Sequence, residues 1–365
     1  MPRASWDPCV YHLDTEKVSR FVDQYFSSHE RLCLVICGAG FDPRSYKISE
    51  LLQNTLRDNL HGAFIREERP NPVEELLNRA NANHDHLRSI VSEYKTIRLN
   101  IFSEDGAPVG GRSIIRELGK FDFASYSDIV VDLSALSIGV SFPLVKFLRE
   151  EWALKERSRN LHLMVTVSRH IEMNIKAEAS DRVAHVLGFD GQARLTASPT
   201  LARLWLPQLA RGKNQVMERL RQHDWVRPDD ICPILPFPSS NPRESDELAE
   251  CYLDEFLGDW DIGGKDLILA DESNPLDLYR TLIKVDDQRS RIFERVGGSI
   301  QILSPMGSRL LSIGALMAAL DRNLPVVYVE SIGYSIDESA ADQFSETEPH
   351  FVHVWLEGDA YPPRQ

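Results

Sequence analysis

Short apolar runs alternate with longer stretches in which apolar residues recur at helical spacing. The runs at 32–37, 63–66, 97–102, 128–133 and 161–167 have the length of buried strands. Segments 45–58, 72–94, 111–119 and 138–153 between them have the period of helices, after a first helix over 15–28. In the second of these, Val73, Leu76, Leu77, Ala80 and His84 mark one face. The alternation resumes with strands predicted at 231–236, 267–270, 299–303, 325–330 and 350–355, and helices at 244–257, 275–285 and 309–320. Such alternation predicts parallel sheets covered on both faces. The segment between the two blocks, about 171–226, reads as helix-rich, with apolar and basic residues mixed in LARLWLPQLARGKNQVMERLRQHDW; residues 335–348 are polar and acidic and read as a loop.

Two stretches look like copies of one device. CLVICGAGFDPRS at 33–45 and CPILPFPSSNPRE at 232–244 each run from an apolar segment into an Asx-Pro-Arg triplet, Asp42-Pro43-Arg44 and Asn241-Pro242-Arg243, and then into a helical pattern. A second pair, 129–148 and 300–320, passes from a strand-like run through Ser134 or Ser304 into a helix of small and apolar residues. The predicted fold is therefore α/β: two Rossmann-like, mainly parallel halves related as internal repeats, at 1–170 and 229–365, joined by a helical segment at 171–228. Ligands of open parallel sheets bind beyond the carboxyl ends of the strands, so the four turns are expected to line a cleft between the halves. The repeat also predicts that Arg44 and Arg243 occupy equivalent positions.

At 365 residues the chain is long enough for two domains. Its 41 Lys and Arg against 55 Asp and Glu, a formal charge of −14, argue against nonspecific duplex DNA binding, so any phosphate site needs a local cluster of arginines. The five cysteines are odd in number and contain no CxxC, which reads as reduced, buried thiols in a cytoplasmic protein. Neither a signal-peptide pattern nor an apolar run long enough to span a bilayer is present, so no membrane partner is expected.

Gly38 and Gly40 follow the most strand-like run and let the backbone approach a ligand, or simply make a tight turn. Pro43 stands where a dinucleotide fingerprint would need its third glycine, so no nicotinamide cofactor is implied. Beside Asp42, Arg44 offers forked donors to phosphate or carboxylate. Arg243, behind Asn241, is the second such donor, with pairing to Glu244, Asp246 or Glu247 as the alternative. Ser304, Gly307, Ser308 and Arg309 precede a helix whose Gly314, Ala315, Ala318 and Ala319 suit close packing on its sheet; the open backbone N–H groups there suit an anion. His84 and His86 lie two apart on a helix and diverge, so no metal is expected. Asp271 and Glu272 suit a ribose hydroxyl or a solvated turn, and Asn274-Pro275 reads as a helix entry.

The segment 299–330 resembles the CARF sensor family, in which a TGGTK-like turn is followed by a helix of the form MxxGAxxAA and a strand like VVYVES. Ser304-Pro305-Met306-Gly307-Ser308-Arg309 stands at the turn, Gly314-Ala315 with Ala318-Ala319 matches the helix, and Val326-Val327-Tyr328-Val329-Glu330 matches the strand. Around Asp132-Leu133-Ser134 the earlier copy lacks the glycines and the lysine. The resemblance, which extends to the related SAVED domains, implies a tandem Rossmann-like sensor of a nucleotide or cyclic oligonucleotide in bacterial antiviral defence. The expected function is then a regulatory subunit acting through a separately encoded effector protein, docked on 201–225. A nucleotide-processing enzyme using the same arginines, and a structural adaptor without a ligand, are the alternatives.

Overall fold

The computed structural model describes residues 4–27, 31–156, 158–191, 201–344 and 349–362. In chain order its strands are β1 (Tyr11–His12), β2 (Cys33–Gly38), β3 (Leu60–Glu68), β4 (Glu93–Asn100), β5 (Asp128–Asp132), β6 (Asn160–Val167) and β7 (Ile175–His185). There follow β8 (Ala202–Pro207), β9 (Asp230–Ile231), β10 (Ile234–Pro236), β11 (Ile268–Ala270), β12 (Ser299–Ser304), β13 (Val327–Ile336) and β14 (His350–Glu357). The chain divides into two units, a first of Pro8–Glu178 with Ser331–Gln365 and a second of Met1–Asp7 with Ala179–Glu330. It passes between them in β7 and β13, which pair with each other.

The first unit holds a seven-stranded sheet in the order β1-β14-β6-β5-β2-β3-β4. The five strands from β6 to β4 are parallel; β14 and β1 join antiparallel. All six residues of β2 are buried, as a central strand covered on both faces requires. Helices Thr15–Tyr25 and Lys47–Leu56 cover one face, where Val18, Val22, Val35, Cys37, Ile48, Leu52 and Phe64 form a core. Asp14 starts the first of these helices by accepting the Lys17 N–H.

In the second unit β8 pairs in parallel with β12 on one side and with β9 on the other, and a bridge from Gln208 to Ile234 carries the pairing on into β10. Beyond β10 lies β11, and a parallel bridge from Leu303 to Val326 adds the chain that leads into β13. Numbered within each unit, the parallel strands thus share one order, 3-2-1-4-5, with β2 and β8 as first strands and β5 and β12 as fourth. The repeat is real at the level of topology.

Its register differs from the one expected. Arg44 follows a first strand and Arg243 a second strand, so the two are not equivalent; Arg211 stands where Arg44 would map, while Ser134 and Ser304 do correspond, each where a fourth strand gives way to a helix. The cause is that 171–228 is not a helical bridge. It contains β7, β8 and the helix Asn214–Gln222, and β8 is the central strand of its unit, with Trp205 and Leu206 fully buried. Alternation of Leu204 and Leu206 around Trp205 is buried on both faces, which erased the period-two signal. Residues 192–200 of that segment lie outside the described ones.

Smaller differences have local causes. The loop expected at 335–348 instead ends β13 and forms the helix Glu338–Phe344, with 345–348 outside the described residues, as is Ser28 at the end of the first helix. Helix Glu74–Ile90 buries Ala80 and Leu87, while Val73 and Leu77 are exposed. Cys33 and Cys37 are buried thiols, but Cys251 is exposed.

Candidate functional site

In each unit the order reverses between the first and fourth strands, the place where open parallel sheets generally leave a crevice for a ligand. In the first unit the crevice lies between the ends of β2 and β5. Gly38 is required at the close approach, because a Cβ on it would lie 2.7 Å from the Ala135 carbonyl oxygen. The Gly40 carbonyl accepts from Asn83 Nδ2 at 2.8 Å.

Arg44 is 1% exposed. Its Nε and Nη2 donate to the Asp42 carboxylate at 3.0 and 2.7 Å, its own N–H also reaches Asp42, and Nη1 donates to Glu172 at 2.9 Å. Burial opposes its charge, and the two carboxylates more than offset that. The guanidinium expected to meet a phosphate is therefore spent within the fold. Asp132 accepts the Ser134 N–H and hydroxyl on Oδ1, while its buried Oδ2 has no hydrogen-bond partner. Burial pushes its carboxyl up to about 7, against the Ser134 bonds that favour the ionised form. Ser134 also accepts the Thr166 N–H at 2.8 Å, and Ser137 donates twice to Glu67. Four carboxylates thus crowd this crevice, which disfavours an anion.

The second unit's first- and fourth-strand turns differ in composition. Residues 202–213 and 299–309, which include them, contain no Asp or Glu. Ser304 is fully buried and accepts from Trp205 Nε1 at 3.0 Å, so it ties β12 to β8 and is not presented to a ligand. Gly307 packs on Gln208, whose Cβ would lie 3.1 Å from an added Cβ. Ser308 caps the helix Arg309–Arg322 by accepting the Leu311 N–H, and Arg309, half-buried, opens its first turn. Gly314 serves a helix rather than a sheet: a Cβ there would lie 2.4 Å from the Pro275 carbonyl oxygen of helix Pro275–Phe293.

The second-strand turn is self-contained. Asn241 Oδ1 accepts the Arg243 N–H, and its Nδ2 donates to Glu244 and Glu247, which also pair with Arg211 at 3.1 and 2.6 Å. Arg243 is exposed at the head of a helix whose first turn holds three acids. Glu272 accepts from Ser239 and Asp271 from Ser273, so both serve turns, and Asn274 caps its helix. His84 bonds Thr96 and His86 bonds Glu50. Among the described residues no group of three or more His, Cys, Asp and Glu is placed to hold a metal ion.

The sequence pattern missed a polar chain at the opposite edge of the first unit's sheet. Asp128, the first residue of β5, accepts from Tyr25, Ser127, Arg31 and His162 Nε2. His162 Nδ1 lies 3.0 Å from His353 Nε2, and His353 Nδ1 lies 3.0 Å from His12 Nδ1. Burial pushes Asp128 upward, and the bonds from His162 and Ser127 with the Arg31 charge outweigh it, so the carboxylate stays ionised and only accepts. That fixes every proton: His162 donates from Nε2, His353 from Nε2, His12 from Nδ1. The three histidines lie far apart in the chain, and the one sequence trace is a histidine inside each of two apolar strands.

No family model matches the chain, and no curated protein does. Among solved structures, the cytoplasmic domain of a prokaryotic cation chloride cotransporter is 12% identical at a TM-score of 0.24, over 82% of this chain and 95% of that one. A putative universal stress protein from Pseudomonas aeruginosa UCBPP-PA14 is 9% identical at 0.24, over 88% and 98%. The human methyltransferase 10 domain containing protein is 12% identical at 0.22, over 42% and 63%. Likeness this slight says nothing of function. Among the described residues no helix is long and apolar enough to cross a membrane.

Proposed function

We propose that the chain is a nucleotide-sensing or regulatory component of a bacterial antiviral defence or signalling system. It takes an anionic nucleotide-type ligand at the second unit's crevice and acts through a separately encoded effector protein. The observation that carries this reading is the acid-free pair of turns there, with the N-terminus of Arg309–Arg322 and Arg309 at the head of that helix. The arginine after the first strand is neutralised within the fold in both units, Arg44 by Asp42 and Glu172 and Arg211 by Glu244 and Glu247; what sets the second unit apart is that the helix after its fourth strand opens on Arg309, where the first unit's opens on Ile138. Resemblance of 299–330 to CARF sensors supports the ligand class.

The test is to incubate the purified chain with nucleotide extracts and identify retained and altered species by mass spectrometry. Retention without turnover is expected; turnover would favour a processing enzyme, and neither would favour an adaptor. Arg309→Ala should weaken the retained ligand by roughly 1.5–3 kcal/mol, the scale of a charge-assisted hydrogen bond. Unchanged affinity in a folded variant would remove Arg309 from the site.

A further inference from the structure

The segment expected to dock an effector, 201–225, is core: Trp205, Met217 and Leu220 are fully buried, and Trp225 is its one exposed large apolar residue. A different face of the second unit has the makings of an interface. Leu235 and Leu267 pack into the core with Phe256 and Trp260. Leu269 in β11 is the register partner of Leu235, and Phe237, which continues the pairing just past β10 by donating to the Ala270 carbonyl, lies two residues beyond Leu235; both are on the same side, yet 49% and 51% exposed. Leu253 and Leu257, one turn apart on the helix Leu253–Leu257 that covers this side, are 49% and 76% exposed. Among the described residues β11 has a strand partner on one side only.

Charge says what would cover these residues. Residues 244–277 hold twelve Asp and Glu against one Lys, most of the chain's net −14. Asp246, Glu250 and Asp254 are exposed on the two helices of this face. Exposed apolar residues set among carboxylates of one sign select an apolar partner of opposite charge and repel other acidic surfaces.

We infer that this face docks a cationic amphipathic segment of a partner protein, its apolar side on Phe237, Leu253, Leu257 and Leu269 and its Lys or Arg residues against Asp246, Glu250 and Asp254. The inference rests on the reading of the chain as a component that works through a partner, but not on the ligand or on Arg309.

The probe is a fluorescein-labelled amphipathic leucine–lysine peptide, read by anisotropy against the full chain, with polylysine and a leucine–glutamate peptide as controls. Leu253→Ser/Leu257→Ser should weaken the leucine–lysine peptide at least about tenfold with unchanged melting temperature, the size of a moderate interface hot spot. Glu250→Lys/Asp254→Lys should weaken it and flatten its salt dependence. The apolar pair Ile292→Ser/Val296→Ser, elsewhere in the unit, should leave binding unchanged. Equal binding by the Leu variant, equal loss in the Ile292/Val296 control, or polylysine binding as tightly as the amphipathic peptide would overturn the proposal. So would sedimentation of the parent chain as a dimer that the Leu variant turns into monomer, because a second copy would then cover the face. Ligand retention measured on the same variants separates failure here from failure of the sensing reading.

Discussion

His353 Nε2 stands 3.0 Å from His162 Nδ1, both rings fully buried, in a chain whose hydrogen bonds all point toward Asp128. A buried carboxylate thereby orients three neutral imidazoles from three strands. Phe21 stacks on His353 with ring centroids 4.3 Å apart, so helix Thr15–Tyr25 closes over the chain of rings.

The contribution of these rings to stability should therefore fall as the solution becomes mildly acidic. Burial, foremost, holds His162, His353 and His12 below their ordinary value of 6.5, with Arg31 adding at His162 and Lys17 at His12 against Asp128 and Asp14. The folded state then resists protons that the unfolded chain takes up, so this contribution is present above about 6.5 and is lost as pH falls below it. Asp132 titrates in the opposite sense, so the measurement is a comparison of denaturant midpoints between pH 8 and 5: His353→Gln should be less stable than the parent at pH 8 and lose less on acidification. Parallel pH profiles for parent and variant would sink this account.

Asp132 works in the opposite direction. Its folded value of about 7 lies above the ordinary 3.8, so its contribution is complete below about 4 and is lost as pH rises to about 7. Asparagine keeps an acceptor for both Ser134 donors and removes the charge. Each pH unit that separates the folded from the ordinary value corresponds to about 1.4 kcal/mol, so Asp132→Asn should stabilise the fold by roughly 2–4 kcal/mol at pH 8 and by little at pH 4. Equal effects at both pH values would show that ionisation is not what the substitution removes.

Strand and helix positions were legible wherever a segment's burial is one-sided or its run of apolar residues is bounded by turns. Thus β2, β5, β6 and β12 fall within a residue of expectation. What failed was β8, buried on both faces and followed by basic residues that mimic an amphipathic helix, and losing it shifted the repeat by one strand. Correspondence of Ser134 and Ser304 survived because each stands where a fourth strand gives way to a helix, Ser304 as the last residue of β12 and Ser134 two residues past β5. For the candidate site, sequence reads which residues stand in a turn but not whether a charge there is already paired: Arg44 meets Glu172 across 128 positions. The same distance problem hid the histidine chain.

Replacing Arg44 should unfold more than it unbinds. Arg44→Ala strands Asp42 buried without its partner beside Asp132, and one-sided removal of a buried ion pair costs about 3–5 kcal/mol. Arg44→Lys should recover only part, since an ammonium cannot bond Asp42 through two nitrogens while reaching Glu172. Thermal melts of both variants check this, together with nucleotide retention, which should persist in whatever fraction stays folded.

Two glycines separate packing from turn geometry. At Gly314 an added Cβ meets the Pro275 carbonyl at 2.4 Å and Leu278 Cβ at 3.1 Å. The Pro275 end cannot shift freely, because Asn274 caps it and Leu276 and Leu278 are fully buried. Alanine would gain up to about 1 kcal/mol of helix propensity, but forcing the two helices apart in a filled core typically costs about 1–3 kcal/mol or more. With backbone on the far side of the clash, Gly314→Ala should be net destabilising. Gly40→Ala is the control: its Cβ would meet nothing within 4 Å, and its backbone is not in the left-handed region. That variant should melt within a degree or two of the parent, whereas a Gly314→Ala protein as stable as the parent would mean the helix pair is not packed as closely as its backbone indicates.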